Sequence, residues 1–267
     1  MPRLFQLGRP LAASTKKGHT PAMPPTIAIL GVRFARLSHG DALLEIERLY
    51  ENGGPSVVAF ANTHSLNLAT TNPSYREVLR RADLVLNDGK GVMIAALVQR
   101  KNFPADLNGN AISPMILERA ADRGWPVYFL GGRPGVAERA AERLRTRLPK
   151  LAIVGVRDGY FNPADGDRVI DEIRASSAGI LMVAMGNPMQ EFWLDRHLVR
   201  TGARIGLGVG AFFDFQAGEV PRAPEVLNRA GLEWVYRLGK EPRRLWRRYL
   251  LGHPTFLVRV LRERLYR

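Results

Sequence analysis

Cysteine is missing from all 267 residues of the chain, which excludes a disulfide framework, a thiolate metal site and a thiol nucleophile. No apolar run reaches the roughly 18 uninterrupted residues of a spanning helix, so the chain reads as soluble or peripheral. The histidines, His19, His39, His64, His197 and His253, show no metal-ligand spacing, and no carboxylate cluster reads as a metal site. Neither a metal nor a cofactor is expected. Acidic residues are scarce as well: 25 Asp and Glu stand against 39 Lys and Arg, a formal net charge of +14.

That surplus calls for an anionic partner, whether nucleic acid, a lipid surface or a phosphorylated ligand. Its placement discriminates among them. From Glu233 to Arg267 ten basic residues face three acidic ones, so this tail carries half of the net charge of +14. No RNP, helix-turn-helix or zinc signature accompanies it, and nucleic acid is not the expected partner. In "LEWVYRLGKEPRRLWRRYL" the residues Trp234, Tyr236, Leu238, Leu245, Trp246, Tyr249 and Leu250 interleave with arginines. A basic helix with such an apolar side suits a membrane interface; docking of the aromatics onto the rest of the protein is the alternative.

What is present elsewhere is a repeating alternation. "TIAILGV", "SVVAFAN", "LVLND", "PVYFLGG", "AIVGVRDGYF", "GILMVAMG" and "RIGLGVGAFFDF" read as strands. Periodic segments between them, among them "DALLEIERLYENGG", a stretch from His64 to about Arg81, "GKGVMIAALVQRK" and "GVAERAAERLRTRL", read as helices. Apolar strands separated by amphipathic helices predict an α/β fold, a Rossmann-like and mostly parallel sheet with helices on both faces. A basic helical C-terminal appendage follows. Three regions are expected: a disordered basic leader over residues 1–25, an α/β catalytic domain over 26–218 and the appendage over 219–267.

Ligands of such sheets bind beyond the carboxyl ends of the strands, so the residues just after each strand deserve inspection. Asp88 follows "LVLN" and precedes Gly89 and Gly91. It is either a general base within reach of an acceptor hydroxyl or a helix cap. Gly131, Gly132 and Gly135 lie in "FLGGRPG", between a strand and a helix. They form either a cradle for a nucleoside diphosphate or merely a tight turn. The G-x-G-x-x-G spacing of a dinucleotide site is lacking, which argues against a nicotinamide-dependent oxidoreductase. Gly186, Asn187 and Gln190 lie in "MGNPMQEFW", where the amides are suited to reading a sugar or base; Asn187 before Pro188 also fits a cap. His64 is a minor candidate base.

Taken together, "NTHSLNLA", "ADLVLNDGKGV", "LNGNAISP", "FLGGRPGVAERAAERL", "DGYF", "MGNPMQEFW", "GVGAFFDFQAG" followed by "RAP", and "GLEWVYRLGKEPRRLWRRYL" resemble, in order and over roughly residues 27 to 250, the WecG/TagA/CpsF glycosyltransferases. The resemblance implies an inverting, metal-independent glycosyltransferase of the GT-E fold. Such an enzyme moves a sugar from a UDP-sugar onto a polyprenyl-diphosphate-linked saccharide during surface polysaccharide synthesis. It also implies peripheral attachment at the inner face of the cytoplasmic membrane, with self-association among the expectations. The family's proposed base falls on Asp88. Further catalytic positions fall on Asn62, Gln190 and Arg237, and substrate contacts on Gly89, Gly210, Arg222, Arg244 and Arg247. Arg237, Arg244 and Arg247 are spaced to share one helix face and converge on phosphate. Three positions depart from the family pattern: Phe60 replaces a threonine, Asp106 an arginine and Ala111 an acid.

Overall fold

The computed structural model describes residues 24–221, 233–240 and 242–266. A two-stranded antiparallel hairpin, β1 (Thr26–Ile29) and β2 (Val32–Ala35), precedes a six-stranded sheet. The sheet comprises β3 (Ser56–Ala61), β4 (Leu84–Asn87), β5 (Val127–Gly131), β6 (Ile153–Arg157), β7 (Ile180–Ala184) and β8 (Ile205–Gly208). Its strand order is β4-β3-β8-β7-β5-β6, and every pairing is parallel.

Both faces of this sheet are covered, as apolar-throughout strands require. Along β5 and β7, Val127, Phe129, Ile180 and Met182 face one core with α1 (His39–Glu51), α5 (Gly109–Arg123), α6 (Val136–Arg147) and α9 (Phe212–Ala217). The alternate residues Tyr128, Leu130, Leu181 and Val183 face another with α7 (Gly166–Ala175) and α8 (Met189–Thr201). This is the two-residue period of a strand, used on both sides. A third cluster joins the hairpin to α2 (Thr63–Thr71), α3 (Pro73–Arg81), α4 (Lys90–Val98) and the last helix.

The expected fold class is the one observed, with local corrections. The single stretch expected from His64 to Arg81 is two helices. Asn72 is extended and accepts from Tyr75 N at 3.0 Å, and Pro73 opens α3; the residue before a proline resists the helical conformation. The first strand turns back on itself at Leu30 and Gly31, both at positive φ (49° and 80°), the geometry of a two-residue hairpin turn. The final strand stops at Gly208, and "FFDFQA" is helical. Helix α5, capped by Asn108 and carrying Pro114, has no counterpart among the expected segments.

The appendage continues as α10 (Glu233–Lys240), α11 (Pro242–Trp246), a π-helical turn (Arg247–Leu251) and α12 (Gly252–Leu265). Arg237, Arg244 and Arg247 therefore fall on three successive segments rather than on one regular helix. Helix α12 is tied to α2 by Asn67, whose Nδ2 donates to Gly252 O at 2.7 Å and whose Oδ1 accepts from Arg259 Nη1 at 2.7 Å. It is tied to the hairpin turn by Glu263, which accepts from Leu30 N at 3.0 Å and from Gln99 Nε2 at 2.8 Å. Phe256 and Val260 are its buried anchors.

Candidate active site

The carboxyl ends of neighbouring strands β3 and β4 deliver Asn62 and Asp88 side by side. Asn62 Nδ2 donates to Asp88 Oδ2 at 2.9 Å. Asn62 Oδ1, facing the other way, accepts from His64 N at 3.0 Å and Ser65 N at 3.2 Å, capping α2. One amide thus satisfies a helix start with its oxygen and aims a carboxylate with its nitrogen. Asp88 is half-buried. The N-cap position of α4 is taken by Gly89, one residue after Asp88.

Both glycines after Asp88 have a physical reason. Gly89 sits at φ +88°, a conformation that side chains resist. A Cβ on Gly91 would collide with Thr63 Cγ2, so its absence lets the first turns of α4 and α2 meet. Two positive helix ends therefore converge beside Asp88, an arrangement that favours a negatively charged ligand. Asp106, one of the departures from the family pattern, accepts from Gly89 N at 2.8 Å and braces this turn. Phe60 is buried in the core, and Ala111 N donates to the Asn108 cap at 3.0 Å.

At the ends of β7 and β8 a second cluster forms. Gln190 Oε1 accepts from Gly186 N at 3.2 Å and Gly210 N at 3.0 Å, while its Nε2 donates to Glu191 Oε1 at 2.8 Å. Asn187 Nδ2 donates to the same Glu191 oxygen at 2.5 Å. Gln190 is only 1% exposed, so the expectation that it meets substrate is corrected: every polar atom of its side chain is spent inside the protein. Asn187 does not cap α8 either; Pro188 occupies that position after a cis peptide bond. Burial raises the Glu191 carboxyl from 4.5 to about 7, with the Gln190 and Asn187 hydrogen bonds opposing the rise. The sequence places Glu191 beside the amide pair of this turn but gives it no role.

The glycine loop after β5 is a packing turn. A Cβ on Gly131 would strike the Ala184 backbone. Gly132 N donates to Ala184 O at 2.9 Å, so it is not available to a phosphate. Gly135, at φ +79°, starts α6. Over this loop Glu219 pairs with Arg139 at 2.6 Å and Arg133 at 3.6 Å. The diphosphate-cradle expectation for these three glycines gives way to the tight-turn alternative.

The appendage does bring a cation to the rim. His64, in the first turn of α2, is lowered to about 4 by burial and by the nearby positive charge of Arg248, so it stays neutral near pH 7 and is a poor base there. Arg247 instead lies over the Trp246 ring at 5.2 Å. Arg248, on the same π turn and over the Tyr249 ring at 5.8 Å, was not among the expected residues. Arg222 lies outside the described residues, and so do the side chains of Arg237 and Arg244.

A family model described as glycosyl transferase WecG/TagA/CpsF family matches residues 27–267. The chain belongs to this family. A Bacillus spizizenii relative of the family, N-acetylglucosaminyldiphosphoundecaprenol N-acetyl-beta-D-mannosaminyltransferase, is 34% identical over 220 residues, covering 82% of this chain and 84% of its own. As a WecG/TagA/CpsF member the chain is a glycosyltransferase, and the rim that holds Asn62 and Asp88 is its candidate active site.

Proposed function

We propose that the protein transfers a sugar from a UDP-sugar onto a saccharide linked to a polyprenyl diphosphate, with inversion, at the inner face of the cytoplasmic membrane. The observation that carries this reading is the Asn62–Asp88 pair beside two convergent helix starts. Asp88 takes the proton of the acceptor hydroxyl as its oxygen attacks the anomeric carbon. The bond from that carbon to the diphosphate breaks, and UDP departs with the negative charge. That charge develops beside the N-terminus of α4 and near Arg248, whose positive charge already acts on His64, so little reorganisation is needed during reaction. The acceptor class follows from the relative's name, and the product feeds a surface polysaccharide.

Attachment to the membrane is assigned to the outer face of the appendage. Trp246, Leu250, Leu251, Leu257, Leu261 and Leu265 are exposed, the last at 80%. Leu257, Leu261 and Leu265 follow one another at helical spacing, about 100° round the helix from the buried Phe256 and Val260, with Arg262 and Arg264 interspersed. Such a stripe enters the headgroup region, and each basic residue near an anionic surface adds about 1 kcal/mol. Among the described residues no helix is long and apolar enough to cross a membrane.

The test is direct transfer. The full chain is incubated with a panel of UDP-sugars, a short-chain polyprenyl diphosphate bearing N-acetylglucosamine, and EDTA, with product mass as readout. A product one sugar heavier supports the reading, and hydrolysis or no reaction across the panel counts against it. Co-sedimentation with phosphatidylglycerol vesicles but not phosphatidylcholine vesicles tests the membrane assignment.

A further inference from the structure

Gln190 and Glu191 form a buried device whose purpose is not packing alone. Both are only 1% exposed, and an amide and a carboxyl in such a place are costly unless their hydrogen bonds are made. Among the described residues Gln190 is the side chain that holds the turns after β7 and β8 together, through Gly186 N and Gly210 N. Those two glycines sit at φ +76° and +59°, and neither has any neighbour within 4 Å of where a Cβ would be. Their conformations are thus held by the backbone and by Gln190. Gly208, at the end of β8, leaves the space the amide occupies: a Cβ there would lie 3.0 Å from Gln190 Nε2.

An amide is nearly symmetric in shape and has two ways to sit. Only one presents Oε1 to the two glycine N–H groups. The flipped form points Nε2 at two donors. Glu191 Oε1, receiving Gln190 Nε2 at 2.8 Å, is what selects the first. Asn187 Nδ2 holds that oxygen in place from the other side at 2.5 Å. The buried Tyr75 hydroxyl also hydrogen-bonds to the Glu191 carboxyl.

We infer that Glu191 is a positioning residue for the ligand-facing rim: its acceptor oxygen fixes the Gln190 amide in the orientation that clamps the Gly186 and Gly210 turns. The clamp serves the sugar-transfer site proposed above and rests on that reading for its purpose, though not for its geometry. What matters is an acceptor at Oε1, not a charge, so Glu191→Gln preserves the clamp: its amide oxygen takes the Oε1 place. Glu191→Leu removes the acceptor and frees Gln190 to flip, leaving two buried N–H groups without a partner.

The experiment uses the full chain labelled with ¹⁵N-glycine and follows amide exchange, with UDP affinity measured by calorimetry. The expected result is wild-type exchange at Gly186 and Gly210 in the Gln variant, with UDP affinity within about threefold. The Leu variant exchanges at least about tenfold faster at both glycines and binds UDP at least about tenfold more weakly, while Gly31 and Gly124 are unmoved. If the Leu variant does not fold, Glu191→Met, which also lacks the acceptor oxygen but keeps an unbranched side chain, replaces it with the same expected exchange and UDP affinity. Wild-type exchange in the Leu or Met variant, or damage from Gln equal to theirs, overturns the inference. Absence of UDP binding by the wild type counts against the proposed function and leaves the exchange test standing.

Discussion

The rim carries two amide–carboxylate pairs of nearly equal length, and they differ in what surrounds them. Asn62 and Asp88 meet at 2.9 Å where β3 and β4 end; Gln190 and Glu191 meet at 2.8 Å where β7 and β8 end. The first carboxylate is half-buried beside two helix starts. The second is sealed, and burial pushes it up to about 7. Under the proposed function, identical functional groups divide between chemistry and support according to access. An acid that is to take a proton from a substrate must be reachable by it, and an acid that orients an amide does so best where water cannot compete.

The sharpest way to break this comparison is at Asp88. Asp88→Asn keeps the size and can still meet Asn62, but it cannot accept a proton. Turnover is expected to fall at least about 100-fold, the scale of a lost general base, with thermal stability and UDP affinity retained. Turnover within tenfold of wild type in the transfer assay would leave Asp88 without its chemical role. Asn62→Ala comes next. It removes one hydrogen bond to the Asp88 carboxylate and the α2 cap, so turnover drops about tenfold and stability falls by on the order of 1 kcal/mol. A stability loss without a rate loss would reduce Asn62 to a cap.

How far the sequence foretold these pairs follows from what kind of force places each residue. Apolar strands alternating with amphipathic helices announced a two-sided parallel sheet, because burial on both faces is written into every strand residue. Asp88 stood out by its place at a strand end before two glycines, but that place fits a cap as well as a base, and only the family resemblance named it as the base. Gln190 was noticed for its position, but its burial was not legible, since that depends on Gly208 and on two turns brought together by β7–β8 pairing. Glu191 was hidden in an ordinary helical heptad and emerges only through Asn187 and Gln190. The hairpin at Leu30 was missed because its turn lacks the usual Asn-Gly pair, and its conformation is supported from the far end of the chain by Glu263. The π turn that carries Arg248 has no local sequence signal.

The second pair sharpens the comparison through pH. The unfolded chain releases the Glu191 proton near 4.5, whereas the folded chain holds it to about 7. Between those values the native state binds more protons than the unfolded state, so this group lowers stability as pH rises through the window and contributes nothing further above or below it. Glu191→Gln carries no such proton. The melting temperature of the Gln variant relative to wild type is therefore expected to climb by several degrees between pH 4.5 and 7 and to be flat from 7 to 8.5. A difference that does not change with pH would mean the carboxyl titrates normally in the folded protein.

Asp106 makes the smallest and most discriminating test, because it separates charge from geometry at the edge of the first pair. Its Oδ1 accepts from Gly89 N at 2.8 Å, and Gly89 is the residue whose left-handed conformation lets α4 begin directly after Asp88. If the carboxylate works only as an acceptor for that N–H, an amide oxygen serves equally, and Asp106→Asn keeps turnover within about threefold, the size expected for exchanging one charged acceptor for a neutral one. Asp106→Ala leaves the N–H without its partner and lowers turnover further than Asn does. Equal losses in the Asn and Ala variants would show that the charge of Asp106, rather than its hold on Gly89, matters to the site, and would make it a third working carboxylate on a rim where access alone had separated the other two.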